Sequence, residues 1–134
     1  MGLSIWPKFM LTGALALLSA AIPSAARAPQ LAMLSRLDKG TWEIRDRSNG
    51  YRQRICLRTG HELIQLRHRQ PNCSEFIVQD AATEVTVQYT CRGNDYGRTT
   101  IRRESSGLVQ IRSQGILNGT PFSLEGEGRL QGKC

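Results

Sequence analysis

Residues 97–115 read GRTTIRRESSGLVQIRSQG, and this stretch decides the fold. Ser105-Ser106-Gly107 is a cluster of turn residues, and the flanking residues keep a period of two, the signature of strands. A three-residue loop with Gly107 in the left-handed position sets Glu104 against Leu108, Arg103 against Val109 and Ile101 against Ile111. One face of this hairpin is mostly apolar. The other carries Arg98, Thr100, Arg102, Gln110, Arg112 and Gln114.

Working outward, Asn118-Gly119 is a second tight turn, leading to Phe122, Leu124 and the small residues Gly126 and Gly128. Its register sets Arg112 opposite Glu125, an expected exposed ion pair worth about 0.2–1 kcal/mol. Upstream, Phe76-Ile77-Val78 and the alternating Val85, Val87, Tyr89 and Cys91 flank a loop at 80–84. Pairing Gln79 with Val85 brings Ile77 opposite Val87 and Cys73 opposite Cys91, where Cβ atoms come within disulfide range. The reading therefore predicts Cys73–Cys91, which leaves Cys56–Cys134 for the second bridge and is expected to draw the two ends of the sheet together. The first hairpin turns at Asn49-Gly50. Closing Ser48 on Tyr51 sets Ile44 opposite Ile55 and Trp42 opposite Leu57, with Cys56 on the other face.

Two segments read as short helices. Leu31, Leu34 and Leu37 recur every three residues between Pro29 and Asp38. Thr59-Gly60-His61-Glu62 is a capping box ahead of Leu63, Ile64 and Leu66, ended by Pro71. The predicted fold class is α+β and β-dominated: an antiparallel meander of about seven strands, curved or partly closed, with one or two short helices.

The chain has 134 residues and a net charge of +7. Lys8 precedes an apolar run from Phe9 to Ile22, followed by the small residues Ser24-Ala25-Ala26-Arg27-Ala28. This is the layout of a secretory signal peptide over residues 1–26. Cleavage after Ala26 is expected rather than after Ala28, where Pro29 would follow the scissile bond. Residues 27–134 then form a single disulfide-stapled domain with 17 basic and 11 acidic residues, a charge of +6 and no membrane span. The four cysteines admit three connectivities. Their spacings of 17, 18 and 43 residues lack the close ligand pair typical of zinc sites. Disulfides in an oxidising compartment, periplasmic or secreted, are the expectation.

Gly40-x-Trp42-Glu43 opening a strand, Ile55-Cys56-Leu57, Tyr89-x-Cys91-x-Gly93 and Gly132-x-Cys134 occur in that order. Together they resemble a group of small exported proteins of Gram-negative bacteria, domain-of-unknown-function family 3617. The resemblance runs from about Leu34 to Cys134. It implies a cell-envelope compartment and a stapled β architecture, and it carries no activity. Family members usually have a methionine- and proline-rich stretch after the Trp-Glu strand, where this chain has Asn49-Gly50.

Little in the sequence points to catalysis. His61 and His68 are seven residues apart, roughly 10 Å along a helix and too far to share an ion, and they are expected to be solvated helix residues. Glu62 belongs to the capping box. There is no C-x-x-C pair, G-x-S-x-G elbow or glycine-rich phosphate loop. No catalytic residue, cofactor or metal ligand is predicted. The candidate site is instead the arginine face, Arg98, Arg102 and Arg112, helped by Arg92 and Arg103, because guanidinium forks engage phosphate and carboxylate bidentately. Glu104 and Glu125 neutralise part of it, and the shortage of interleaved aromatics speaks against nucleic acid. The expected function is a non-enzymatic envelope domain that binds an anionic component on this face or an apolar ligand inside a curved sheet. The alternative class is an inhibitor or chaperone-like partner of a periplasmic protein. A hydrolase would require His61 or His68 in a concave pocket beside a carboxylate.

Overall fold

Segments with a period of two become strands. The computed structural model describes residues 2–3 and 30–134, and the expected signal peptide otherwise lies outside the described residues. The strands are β1 (Gly40–Asp46), β2 (Arg52–Leu57), β3 (Ser74–Asp80), β4 (Glu84–Thr90), β5 (Tyr96–Ser105), β6 (Leu108–Leu117) and β7 (Thr120–Gly132). All seven lie in one antiparallel sheet in the order β2-β1-β7-β6-β5-β4-β3, which is not closed. Strands β3 to β7 are a simple meander, and the β1–β2 hairpin joins it by pairing β1 with β7. Residues 58–73 carry the chain from β2 at one edge to β3 at the other.

The predicted faces hold. Trp42, Ile44, Leu57, Val85, Val87, Tyr89, Ile101, Val109, Ile111 and Leu124 are buried on one face of the sheet. Leu31, Met33, Leu34 and Leu37 cover them from one side, and Leu63, Ile64 and Leu66 from the 58–73 crossing. Neither covering segment is an α-helix. Each is a turn with a single 3-10 stretch, Leu34–Arg36 and His61–Leu63. Only the glutamate half of the expected capping box forms: the Glu62 carboxylate accepts from the Thr59 N–H at 3.2 Å and the Gly60 N–H at 2.9 Å, but the Thr59 hydroxyl does not reach the Glu62 N–H. The Thr59 hydroxyl accepts from the His61 N–H.

The hairpin registers come out in different ways. Asn118 and Gly119 both have positive φ, 51° and 76°, as a two-residue type I′ turn requires, and Arg112 does lie opposite Glu125. In the β5–β6 hairpin Ile101 faces Ile111 and Arg103 faces Val109, as expected. A register shift then sets Leu108 against Ser105 rather than Glu104, and Gly107 has no positive φ. In the β3–β4 hairpin Ile77 faces Val87, but a shift between Ile77 and Gln79 pairs Gln79 with Thr86 instead of Val85.

The first hairpin slips by two residues: Trp42 faces Ile55 and Ile44 faces Gln53. Local side-chain bonds are the cause. The buried Asp46 carboxylate accepts from the Ser48 N–H and hydroxyl, the Gly50 N–H bonds the Asp46 carbonyl, and Asn49 accepts from the Tyr51 N–H. These Asx-type bonds start the loop at Asp46, four residues long rather than two. A slip of two preserves the faces, so the core reading survives.

Both disulfides form as paired, Cys73–Cys91 with Cα atoms 4.3 Å apart and Cys56–Cys134 at 5.6 Å. The expected consequence of the second does not hold. Cys134 follows β7, which is separated from β2 only by β1, so the bridge staples three adjacent strands and does not join the two sheet edges. Two such bonds mark an oxidising, non-cytoplasmic location. Among the described residues no helix is long and apolar enough to cross a membrane.

Candidate functional site

On the face away from the core, the strand registers arrange the side chains in cross-strand rows. One row runs Gln88, Arg98, Gln114, Ser123 across β4, β5, β6 and β7. The next runs Thr86, Thr100, Arg112, Glu125, and the third Glu84, Arg102, Gln110, Glu127. Arg112 is therefore diagonal to both Arg98 and Arg102, at about 7–8 Å between backbones. The three predicted arginines do share one patch.

Long side chains standing off the sheet leave two adjoining depressions there. The first, of about 320 Å³, is lined by Arg47, Glu84, Thr100, Arg102, Gln110, Arg112 and Glu125. The second, of about 380 Å³, is reached past Thr100, Arg112 and Glu125 and adds Arg98, Gln114 and Ser123. The charges on this surface are unevenly satisfied. Arg102 meets Glu104 at 3.3 Å, Arg47 donates to Gln110 at 2.7 Å, and Arg129 meets Glu127 at 2.8 Å. The hydrogen bond from Arg129 is the main reason the Glu127 carboxyl is held below its ordinary range. Farther along the sheet, Arg52 and Arg54 flank Glu43. Arg98 and Arg112 have no ion pair or side-chain hydrogen bond among the described residues, so the expected Arg112–Glu125 ion pair is not formed. These two guanidinium groups, beside the hydroxyls of Thr100 and Ser123, the amide of Gln114 and the carboxylate of Glu125, itself unbonded among the described residues, can take a phosphate or carboxylate.

Two helpers named from the sequence do not belong. Arg103 is on the core-facing side of β5, opposite Val109, and its Nε is buried without a hydrogen-bond partner. Arg92 lies in the turn after Cys91 and lines neither depression. Conversely, Arg47 was missed. It is a loop residue, and only the β1–β7 pairing, extended by its N–H bond to the Glu125 carbonyl, brings it to the patch.

The histidines part company. His68 is not solvated: it is 2% exposed, its Nδ1 2.7 Å from the Tyr89 hydroxyl and its Nε2 2.8 Å from the Ile116 carbonyl. Asp95 lies 3.9 Å from Nε2 and accepts the Asn118 N–H. Burial pushes the Tyr89 phenol up to about 12, against opposing pulls from the Ser113 hydroxyl and the Arg67 charge. This is a closed, satisfied network inside the core. His61 is exposed, in a groove of about 440 Å³ lined by the 58–73 crossing with residues of β2 and β3, which also holds Glu62 and Glu75 and is touched by His68. Partial burial raises the Glu62 carboxyl, but its hydrogen bonds to the backbone around Thr59 outweigh that and hold it below the usual range. Glu75 accepts from Gln65. A carboxylate spent on capping is a poor general base near neutral pH.

No family model, curated protein or solved structure matches the chain.

Proposed function

We propose that this chain is an exported, non-enzymatic domain of the cell envelope that binds an anionic component on the face carrying Arg98, Arg102 and Arg112. The observation that carries the reading is that Arg98 and Arg112, diagonal on adjacent strands, make no direct ion pair or side-chain hydrogen bond among the described residues while the neighbouring arginines are bonded. The other expected location, the inner side of the sheet, is filled by Trp42, Tyr89, Leu34 and Leu63, all at most 1% exposed. A signal peptide over residues 1–26, two disulfides and the resemblance to family 3617 agree with a periplasmic or secreted setting.

The test is calorimetric or NMR titration of the oxidised domain with inorganic phosphate, and with anionic vesicles, over a range of salt. Arg98→Gln/Arg112→Gln is expected to weaken binding at least about tenfold, in line with the loss of charge-assisted hydrogen bonds. Affinity independent of salt would rule the reading out.

A protein partner is the second reading, favoured by one observation. Edge strand β3 exposes Phe76 (69%) and Val78 (40%) on an edge with no partner strand among the described residues, the arrangement that accepts an added strand. Stoichiometric capture of one acidic protein from periplasmic extract, lost on Phe76→Ser, would decide for it.

A further inference from the structure

The row before Arg98 on the same face is apolar. Tyr96 lies opposite Ile116, and Ile116 opposite Pro121, across β5, β6 and β7. Strands are about 4.8 Å apart, so this strip is about 10 Å wide, and the Arg98 row begins about 7 Å farther along the strands. Tyr96 is 45% exposed although it is among the largest side chains of the domain. Over the strip lies a third depression, of about 480 Å³, lined by Tyr96, Ile116, Pro121 and Phe122. Arg98, Gln88 and Gln114 line it as well, and Arg98 and Gln114 also line the second depression. The cationic depressions and the apolar one therefore adjoin along this face as a trough, with Arg98 and Gln114 at the junction.

We propose that this trough binds an anionic amphiphile, one molecule at a time. Its phosphate or carboxylate head lies between Arg98 and Arg112, and its hydrocarbon tail lies over Tyr96, Ile116 and Pro121. The proposal rests on the anion-binding reading above and adds the class of ligand. Charge complementarity selects the head: Arg98 and Arg112 share their depression with the hydroxyls of Thr100 and Ser123, the Gln114 amide and a single carboxylate, Glu125, so positive charge prevails in its lining. The apolar strip selects the tail. A fully polar anion would leave Tyr96, Ile116 and Pro121 in water, and a neutral apolar ligand would leave the two arginines uncompensated. The Gln88 and Gln114 amides flank the junction, where an amphiphile changes from polar to apolar.

The experiment titrates octyl phosphate, below its micellar concentration, inorganic phosphate and octanol into the oxidised domain. Octyl phosphate is expected to bind at least about tenfold more tightly than inorganic phosphate, because each buried methylene adds to affinity. Affinity is expected to rise further with chain length. Tyr96→Ser is expected to bring the two phosphates close together while leaving inorganic phosphate unchanged, and Arg98→Gln to weaken both. The chain-length series uses the unaltered protein, so it stands even if a variant is poorly folded. Octyl phosphate binding no better than inorganic phosphate overturns the amphiphile and spares the anion site. Failure of both phosphates overturns both readings. Octanol binding as well as octyl phosphate overturns the role of the head. Binding only to phosphatidic acid vesicles, with none to the monomer, overturns the single-molecule site in favour of a membrane surface.

Discussion

Tyr89 makes the most consequential single hydrogen bond of the core. The Ile116 carbonyl can only accept, so His68 Nε2 carries the proton and Nδ1 accepts from the Tyr89 hydroxyl. With a neutral imidazole this arrangement has the phenol protonated, and burial raises its pKa to about 12 against 10.0 for the unperturbed group. A raised folded pKa means that this stabilisation is fully present below pH 10 and is lost as pH rises through about 12. Its size is about 2–3 kcal/mol. Tyr89→Phe is expected to cost about 1–3 kcal/mol at pH 7, because it leaves the His68 ring nitrogen unsatisfied. It should also flatten the alkaline loss of stability between pH 9 and 12, followed as the urea midpoint. The same alkaline loss in wild type and variant would count against this assignment. The sequence marked Tyr89 as a core residue through its alternation with Val85 and Val87. His68 was illegible, because it sits in an irregular segment where no periodicity separates buried from solvated positions.

At the scale of elements, Gly97 faces Gly115 across β5 and β6. A methyl group on Gly115 would overlap the Tyr96 carbonyl and come within 2.7 Å of the Gly97 Cα, which are backbone atoms that cannot turn aside. Gly115→Ala is expected to cost about 1–3 kcal/mol or more, as overpacking does, and to lower the thermal midpoint by several degrees. An unchanged midpoint would show that the strands are not held this tightly. The same hairpin measures how far elements can be read from sequence. Pairings between Ile101 and Ile111 and between Arg112 and Glu125 follow from alternation and turn chemistry, which act within about twenty residues. The β1–β2 register does not, because Asp46 has the same letter whether its carboxylate is solvated or, as here, bonded to Ser48.

For the whole molecule, the two bridges restrain the unfolded chain unequally. Cys56–Cys134 spans 78 residues and Cys73–Cys91 spans 18, so the chain-entropy estimate is about 4.5 kcal/mol for the first and about 3 kcal/mol for the second. Cys56→Ser/Cys134→Ser should lower the urea midpoint more than Cys73→Ser/Cys91→Ser. The reverse order would mean that native contacts near Cys134, not loop closure, set the contribution of that bridge. By itself the sequence determined the β-dominated class, the two faces, both cysteine pairings and the sharing of one face by Arg98, Arg102 and Arg112. Each of these follows from alternation or from partners close along the chain, except Cys56–Cys134, which follows by elimination once Cys73–Cys91 is set. Only the tertiary structure decided that β1 pairs with β7, that Cys56–Cys134 staples neighbouring strands, that His68 is buried, and that Arg98 joins a cationic patch to an apolar strip. Those depend on how strands far apart in sequence are ordered and twisted together, and no local pattern of residues encodes that order.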